Sequence, residues 1–140
     1  MPIERIVPTT GALEGSELHD GDPRTGWVTP EYQAPRDALE VTLGCVASVE
    51  RVSLSEGAFA AGFPRALAID VAGEDGRWRM AWKGRLTGAA VRAGLANPAL
   101  PIMRILVPVE AVRTVRLRAD TEAPARWAVA ELSIEGTCTR

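Results

Sequence analysis

Apolar and polar side chains alternate with a period of two along most of the chain. Large apolar residues alternate with small or polar ones from Leu67 to Ala72, and from Arg77 to Lys83 the tryptophans and Met80 share one face. Glu74-Asp75-Gly76 lies between these segments. Because Asp-Gly between two alternating segments is a strong hairpin signal, the pattern predicts a β-hairpin here.

Other segments also have the pattern of strands. Residues 39–43 and 114–118 alternate, and Val52 and Leu54 continue the first pattern after a predicted turn at Gly44. Residues 102–107 are apolar on both faces apart from Arg104, which predicts a strand buried inside a sandwich. Many short strands separated by turns predict an all-β fold, a β-sandwich or jelly roll.

Two segments depart from simple alternation. Residues 86–95 are rich in alanine and predict either a short helical turn or a loop. Near the end of the chain, Trp127 and Val129 share one phase, whereas Leu132 and Ile134 share the opposite one. A strand changes phase when it takes an extra residue, so a β-bulge is predicted at Ala130-Glu131.

Composition excludes some classes of partner. The chain has 140 residues, 46% of them hydrophobic and 24% charged, with a net charge of −2, which is typical of a globular domain. The charge balance gives no electrostatic reason to expect nucleic acid or an anionic membrane as partner. No apolar run is long enough to span a membrane, and residues 1–20 lack the apolar core of a signal peptide. A cytosolic protein and a piece of a larger exported or membrane-anchored protein both remain open.

The two cysteines are far apart in the sequence. Cys45 and Cys138 form no CxxC motif, which disfavours a thiolate metal site. A disulfide requires their Cα atoms to lie within about 7 Å, so both a disulfide and two free thiols remain open. A disulfide would indicate an exported parent protein.

Five segments, in the right order over about residues 13–136, resemble the discoidin family, also called the coagulation factor five/eight type C domain. The first contains the acidic Asp20-Gly21-Asp22 followed by Thr25 and Trp27. The others are Leu39-Glu40-Val41-Thr42-Leu43-Gly44, Phe63-Pro64-Arg65 with Ile69-Asp70-Val71 and Asp75-Gly76-Arg77-Trp78, Val112-Arg113-Thr114-Val115-Arg116-Leu117-Arg118, and residues 127–136.

This resemblance implies a galactose-binding-like jelly roll of about eight antiparallel strands, forming one domain over 1–140. Members of the family are mostly binding modules that hold sugars, phospholipid head groups or proteins through loops at one end. Trp27, Trp78 and Trp127 match family core positions. The segment around Trp82-Lys83-Gly84 is similar to bacterial domains attached to membrane glycosyltransferases, which implies an extracytoplasmic context.

The acidic loop is a candidate calcium site. Glu14, Glu17, Asp20 and Asp22 lie within nine residues without an intervening Lys or Arg, and calcium takes six to eight hard oxygen ligands. The resemblance implies a structural ion held by the side chains of Asp20, Asp22, Thr25 and Glu131, with the carbonyl oxygens of Glu17 and Ala130. The alternative is an acidic turn in which Asp20 caps backbone N–H groups without a metal.

Loop residues are the candidates for a ligand surface. A sugar site combines an aromatic face with a few polar groups. The candidates are Tyr32, Arg36, Phe59, Arg118 and Arg126. The alanine-rich segments 58–61 and 123–125 are poor in polar groups, which counts against carbohydrate.

No catalytic constellation is evident. His19 is the only histidine, no glycine-rich phosphate loop is present, and Asp20 and Glu131 are expected to hold an ion rather than transfer protons. The sequence therefore predicts a non-catalytic module that binds carbohydrate or cell-envelope glycan and carries a structural calcium ion. The alternative is a structural or protein-interaction domain of a larger, membrane-anchored, glycosyltransferase-like protein, with no ligand of its own.

Overall fold

The computed structural model describes residues 1–11, 18–59 and 61–139. These residues form eight strands, one α-helix and a short 3-10 turn at Gly57–Phe59. The strands and the helix are β1 (Ile3–Pro8), β2 (Trp27–Val28), β3 (Ala38–Ser55), β4 (Ala66–Ala72), β5 (Trp78–Arg85), α1 (Thr87–Ala96), β6 (Met103–Ala119), β7 (Ala128–Val129) and β8 (Glu131–Cys138).

Two long strands, β3 and β6, run through both layers of the fold. Residues 38–43 of β3 pair with β1 and with the second half of β6, which continues the sheet to β4 and β5. Residues 47–55 of β3 pair instead with β8 and with the first half of β6. All pairings are antiparallel, so the predicted all-β jelly roll is confirmed.

The core lies between these layers. Trp27 and Trp127 are fully buried and meet edge to face with ring centroids 5.1 Å apart, as predicted for core positions. They come from β2 and from the residue before β7, two short strands that pair with each other. The remaining core is aliphatic, and its largest buried side chains are Leu18, Leu39, Leu43, Leu54, Leu67, Ile69, Leu86, Met103 and Leu117.

Trp78 was predicted to be a core residue, and this prediction is wrong. Its side chain is 37% exposed, and the guanidinium carbon of Arg116 lies 3.8 Å from the centroid of its ring. The reason is that β5 is the last strand of its sheet, and its residues next to the turn, Trp78 to Met80, are exposed on both faces of the strand. The Trp78 ring therefore covers a charged neighbour rather than filling the core.

The predicted hairpin is confirmed. β4 and β5 pair from Ala72 and Trp78 at the turn to Ala66 and Arg85 at the open end. Gly76 has a φ of 70°, a left-handed conformation that glycine adopts without steric cost. The Asp75 carboxylate accepts a hydrogen bond from the Arg77 N–H at 3.1 Å and fixes the turn.

Three details of the strand predictions are wrong. β3 runs through Gly44 without a turn, because a register shift between Thr42 and Ala47 bends the strand instead. The segment 102–107 is buried on one face only, and Leu106 is 66% exposed, because its layer has a solvent face. No bulge occurs at Ala130; β7 ends there and the chain passes to β8 in the other sheet, which also changes the phase.

The structure decides two questions that the sequence left open. The alanine-rich segment is a helix, α1, and Cys45 and Cys138 form a disulfide with their Cα atoms 5.8 Å apart. The disulfide joins the bend of β3 to the end of β8. In the described part of the chain, no helix is both long and apolar enough to cross a membrane.

We expect the double variant Cys45→Ser/Cys138→Ser to unfold more easily than the native chain. The bond closes a loop with a sequence separation of 93, and crosslinks of this length restrict the unfolded chain, so the loss is about 2–5 kcal/mol. Urea denaturation monitored by tryptophan fluorescence measures it. Equal unfolding free energies, with the native chain shown to be oxidised by mass spectrometry, would contradict the prediction.

Candidate functional site

Three loops meet at one end of the sandwich, and Gln33 holds them together. Its backbone N–H donates to the Ala125 carbonyl at 2.9 Å, and its own carbonyl accepts from the Ala123 N–H at 3.2 Å. Its side-chain Oε1 accepts from the Arg65 N–H at 2.9 Å. Gln33 is buried and was missed in the sequence, where a polar loop residue is expected to be exposed.

The loop before β3 is fixed by capped turns. The Asp37 carboxylate accepts from the Ala34 N–H at 2.9 Å and from the Thr10 hydroxyl at 2.6 Å. The Thr29 hydroxyl donates to the Glu31 carbonyl at 2.7 Å and accepts from the Trp127 N–H at 3.0 Å. Short polar side chains of this kind form hydrogen bonds with the backbone of turns, so the loop before β3 is held in one conformation. We call this loop, residues 29–37, the loop platform.

A cavity of about 500 Å³ opens on this platform. Tyr32 is 64% exposed at the cavity. Beside it the Arg36 guanidinium is held by the Glu31 carboxylate at 2.9 Å and by the Tyr32 carbonyl at 3.3 Å. Two of the predicted ligand residues, Tyr32 and Arg36, thus line one cavity. The other lining residues are Glu31, Gln33, Ala34, Glu122, Ala123 and Pro124.

A second cavity, of about 360 Å³, holds two further predicted residues, Phe59 and Arg126. Its other walls come from small apolar residues, namely Val28, Ala58, Ala61, Gly62, Ala125 and Ala128. This hollow is predominantly apolar, with Arg126 as its charged lining residue.

The fifth predicted ligand residue, Arg118, lies outside both cavities. Its guanidinium contacts the Asp70 carboxylate at 3.4 Å and the Asp120 carboxylate at 3.3 Å. These ion pairs link β6 to β4 and to the residue that follows β6. The structure therefore places Arg118 in a bridge between strands.

The acidic loop meets the start of β8. Asp20 accepts hydrogen bonds from the Asp22 N–H at 2.8 Å and from the Thr25 hydroxyl at 2.9 Å, and these lower the pKa of its carboxyl. The Glu131 carboxyl lies against Asp20. Burial, together with the hydrogen bond to Asp20 and its negative charge, raises the pKa of Glu131 to about 6.

These groups fit a hard cation in part. The Glu131 Oε1 atom is buried and has no hydrogen-bond partner among the described residues, so one ligand oxygen is unused. The Asp22 carboxylate, however, pairs with Arg24, with the Arg24 Nε 3.0 Å from its Oδ1. Glu17 lies outside the described residues. Within residues 1–11, 18–59 and 61–139, no group of three or more His, Cys, Asp or Glu residues is placed to hold a metal.

The backbone brings Ala130 to the same region. Its N–H donates to the Ser55 carbonyl at 2.8 Å. Gly57, two residues after Ser55, packs against the Pro23 carbonyl. Gly57 has a φ of 52°, and a side chain there would collide with Pro23. The end of β3, the acidic loop and the start of β8 are thus held in close contact.

Glu56 carries a buried carboxyl that no pattern in the sequence predicts. It is 5% exposed, although its position between Ser55 and Gly57 is typical of an exposed turn. Burial raises the pKa of the Glu56 carboxyl to about 8, while its own backbone N–H and the charge of Arg65 lower it. At neutral pH this side chain is therefore mostly protonated.

Comparisons with known proteins establish the fold. No family model and no curated protein matches the chain. Among solved structures, the CBM32-3 module of a family 31 glycoside hydrolase from Clostridium perfringens has a TM-score of 0.70 at 19% identity, over 96% of this chain and 91% of that one.

Two further structures are similar. Chitosan-binding module 1 from a chitosanase/glucanase of Paenibacillus sp. IK-5 has a TM-score of 0.70 at 23% identity, over 94% of each chain. The F5/8 type C domain of a Bacteroides fragilis protein has a TM-score of 0.69 at 14% identity, over 96% of this chain and 92% of that one. The resemblance predicted from the sequence is confirmed as a likeness of fold.

We expect stability to fall as the pH rises because of Glu56. Its carboxyl stays protonated in the folded chain up to about pH 8, whereas in the unfolded chain it ionises near its ordinary pKa of 4.5. Glu56 makes its full contribution to the free energy of unfolding below pH 4.5. Above that pH the contribution declines by up to about 1.4 kcal/mol per pH unit until about pH 8.

Urea denaturation at several values from pH 5 to pH 8 checks this for the native chain and for Glu56→Gln. The variant, which cannot ionise, should show the shallower decline. Glu122→Gln, at an exposed position, is the control and should follow the native chain. Parallel curves for the native chain and Glu56→Gln would show that Glu56 is not the group responsible.

Proposed function

We propose that this chain is a non-catalytic carbohydrate-binding module. The observation that carries the proposal is the exposed Tyr32 ring beside the fixed Glu31–Arg36 pair, in an open cavity of about 500 Å³ on a rigid loop platform. The likeness in fold to CBM32 modules and to a chitosan-binding module supports it.

The cavity has the chemistry that a sugar ring requires. A sugar presents an apolar face of C–H groups, which the Tyr32 ring can cover, and a rim of hydroxyls that donate and accept hydrogen bonds. Arg36 supplies donors to that rim, while Glu31 and Glu122 supply acceptors. Because the Arg36 guanidinium is already oriented by Glu31, little side-chain entropy is lost when a ligand binds.

Binding rather than catalysis suits these carboxylates. The Glu31 carboxylate lies 2.9 Å from the Arg36 guanidinium and orients that donor toward the cavity. Glycosidases need one carboxylic acid and one carboxylate on opposite sides of the scissile bond. The exposed, shallow arrangement around Tyr32 instead offers one ring surface and a polar rim.

A structural calcium ion is the second part of the proposal. Asp20, Thr25 and Glu131 converge, and the unused Glu131 oxygen is a natural ligand for a hard cation. Asp22 would join after releasing Arg24, whose side chain is exposed. The Glu17 and Ala130 carbonyl oxygens complete the set expected from the family resemblance. The ion would supply charge neutralisation for two adjacent carboxylates and would anchor the acidic loop.

We further propose an extracytoplasmic location. The disulfide between Cys45 and Cys138 supports it, because such bonds persist mainly in oxidising compartments.

A second candidate function is packing against a larger parent protein. The second cavity favours it, because the exposed Ala58 and Ala61 and the half-buried Phe59 offer an apolar surface beside Arg126. Phe59→Ala separates the two functions, since it should weaken docking to a parent chain and leave glycan binding to Tyr32 unchanged.

Replacing Tyr32 with alanine should weaken glycan binding about fivefold or more, since stacking on one aromatic ring contributes on the order of 1 kcal/mol and orients the sugar. A glycan array identifies the ligand, and calorimetry then compares the variants. Tyr32→Phe should retain most of the affinity. Trp78→Ala, which removes an exposed aromatic outside the cavity, is the matched control. Equal loss in Tyr32→Ala and Trp78→Ala would refute the assignment of the site.

Calcium should raise the melting temperature of the chain after EDTA treatment. An ion that binds only the folded chain stabilises it by about 2.7 kcal/mol at a hundredfold excess over its dissociation constant. Asp20→Asn and Glu131→Gln should abolish the rise. Asp75→Asn, in the β4–β5 turn, is the control and should keep it. If added calcium does not change the melting temperature of the native chain, the calcium site is ruled out.

A further inference from the structure

A third cavity, of about 250 Å³, lies between the end of β3, helix α1 and the segment that leads into β6. It shares no lining residue with the two cavities at the loop platform. Its walls are apolar except for one carboxyl, that of Glu56. The lining residues are Glu56, Phe63, Ala90, Val91, Gly94, Pro101 and Met103.

Glu56 is the chemically unusual member of this cavity. It is 5% exposed, and its Oε1 atom has no hydrogen-bond partner in the part of the chain that the structure describes. A buried polar atom without a partner destabilises the fold by the cost of its lost hydration. A ligand that brings a hydrogen-bond donor to this carboxyl would therefore remove that cost.

Arg65 is the charged neighbour whose field reaches Glu56, and it is already engaged. Its guanidinium donates to the Phe63 carbonyl at 2.9 Å and to the Ala61 carbonyl at 3.2 Å. It also lies over the Phe63 ring, 3.8 Å from the centroid. Arg65 thus packs on Phe63, one wall of the cavity, and does not hydrogen-bond to the Glu56 Oε1 atom.

We propose that this cavity binds a small primary ammonium ion with a short hydrocarbon chain, its nitrogen on the Glu56 carboxylate and its carbons against Phe63, Val91 and Met103. An ammonium group has three donors and the charge that a buried carboxylate requires, whereas the remaining walls offer contact only to carbon. The volume is below the range of about 300–1,000 Å³ that is typical of drug-sized ligands, so the ligand is small.

Binding is coupled to the release of one proton. Glu56 holds a proton at neutral pH, and the ammonium ion favours the carboxylate, so the carboxyl proton passes to solvent as the ligand enters. Affinity should therefore rise up to about tenfold per pH unit from pH 6 and level off near pH 8, the pKa of Glu56 in the free chain.

The test compares n-butylammonium with 1-butanol, a neutral molecule of the same shape, by NMR titration of the labelled full chain at pH 6 and pH 8. We expect n-butylammonium to shift the signals of Val91 and Met103 saturably, and to bind at least tenfold more tightly than 1-butanol at pH 8. Glu56→Gln should reduce n-butylammonium binding at least tenfold and leave 1-butanol unchanged. Glu74→Gln, in the exposed β4–β5 turn, should behave as the native chain.

Two further variants keep the test decisive. Val91→Trp, at the exposed rim of α1, should block the cavity for both probes even if Glu56→Gln folds poorly. Tyr32→Ala should leave ammonium binding intact, which separates this site from the carbohydrate site. The proposal is overturned if n-butylammonium binds no more tightly than 1-butanol at pH 8, if Glu56→Gln binds it as the native chain does, or if no saturable shift occurs at Val91 and Met103.

Discussion

The antiparallel pairing of β3 with β6 is the interaction on which the rest of the structure depends. The register of β3 against β6 shifts between Thr42 and Arg51, and opposite this stretch Ala111 of β6 has a φ of 56°. Because both strands bend at the same level, their first and second halves lie in different layers of the sandwich. β1 and β4 extend one layer and β8 extends the other. The Cys45–Cys138 disulfide fastens this bend to the end of the chain.

The loop platform is rigid because its polar side chains are buried and form hydrogen bonds with the backbone. Gln33, Asp37 and Thr29 are buried loop residues whose side chains satisfy the backbone of neighbouring turns. Beneath them the Trp27–Trp127 pair fills the end of the core. With the platform held from below, Tyr32 and Arg36 are presented to solvent in a fixed arrangement, which is the property that a binding module requires.

Burial has the same effect on two carboxyls that lie in different surroundings. Burial raises the pKa of both Glu131 and Glu56. Glu131 faces a second carboxylate, that of Asp20, so the proposed cation would relieve the repulsion between them. Glu56 faces hydrocarbon, so a ligand there must bring its donors on an apolar body. The surroundings of each carboxyl, rather than the carboxyl itself, distinguish the two proposed ligands.

Elements with strong local signals could be predicted from the amino-acid sequence. The β4–β5 hairpin follows from the alternation of side chains and from Asp75-Gly76, and the burial of Trp27 and Trp127 agrees with the family pattern. The sequence also predicted the meeting of Asp20 with Glu131, through the resemblance rather than through spacing, because the two residues are more than a hundred positions apart.

The burial of several other side chains depends on residues that are distant in the sequence, and the sequence did not predict it. Trp78 is exposed because β5 is an edge strand, and Leu106 is exposed because its layer has one solvent face. Glu56 and Gln33 are buried because other loops cover them, although each has the local sequence of a surface turn. Periodicity records which residues share a face of a strand, but burial depends on what packs against that face, and in this chain those partners come from distant parts of the sequence.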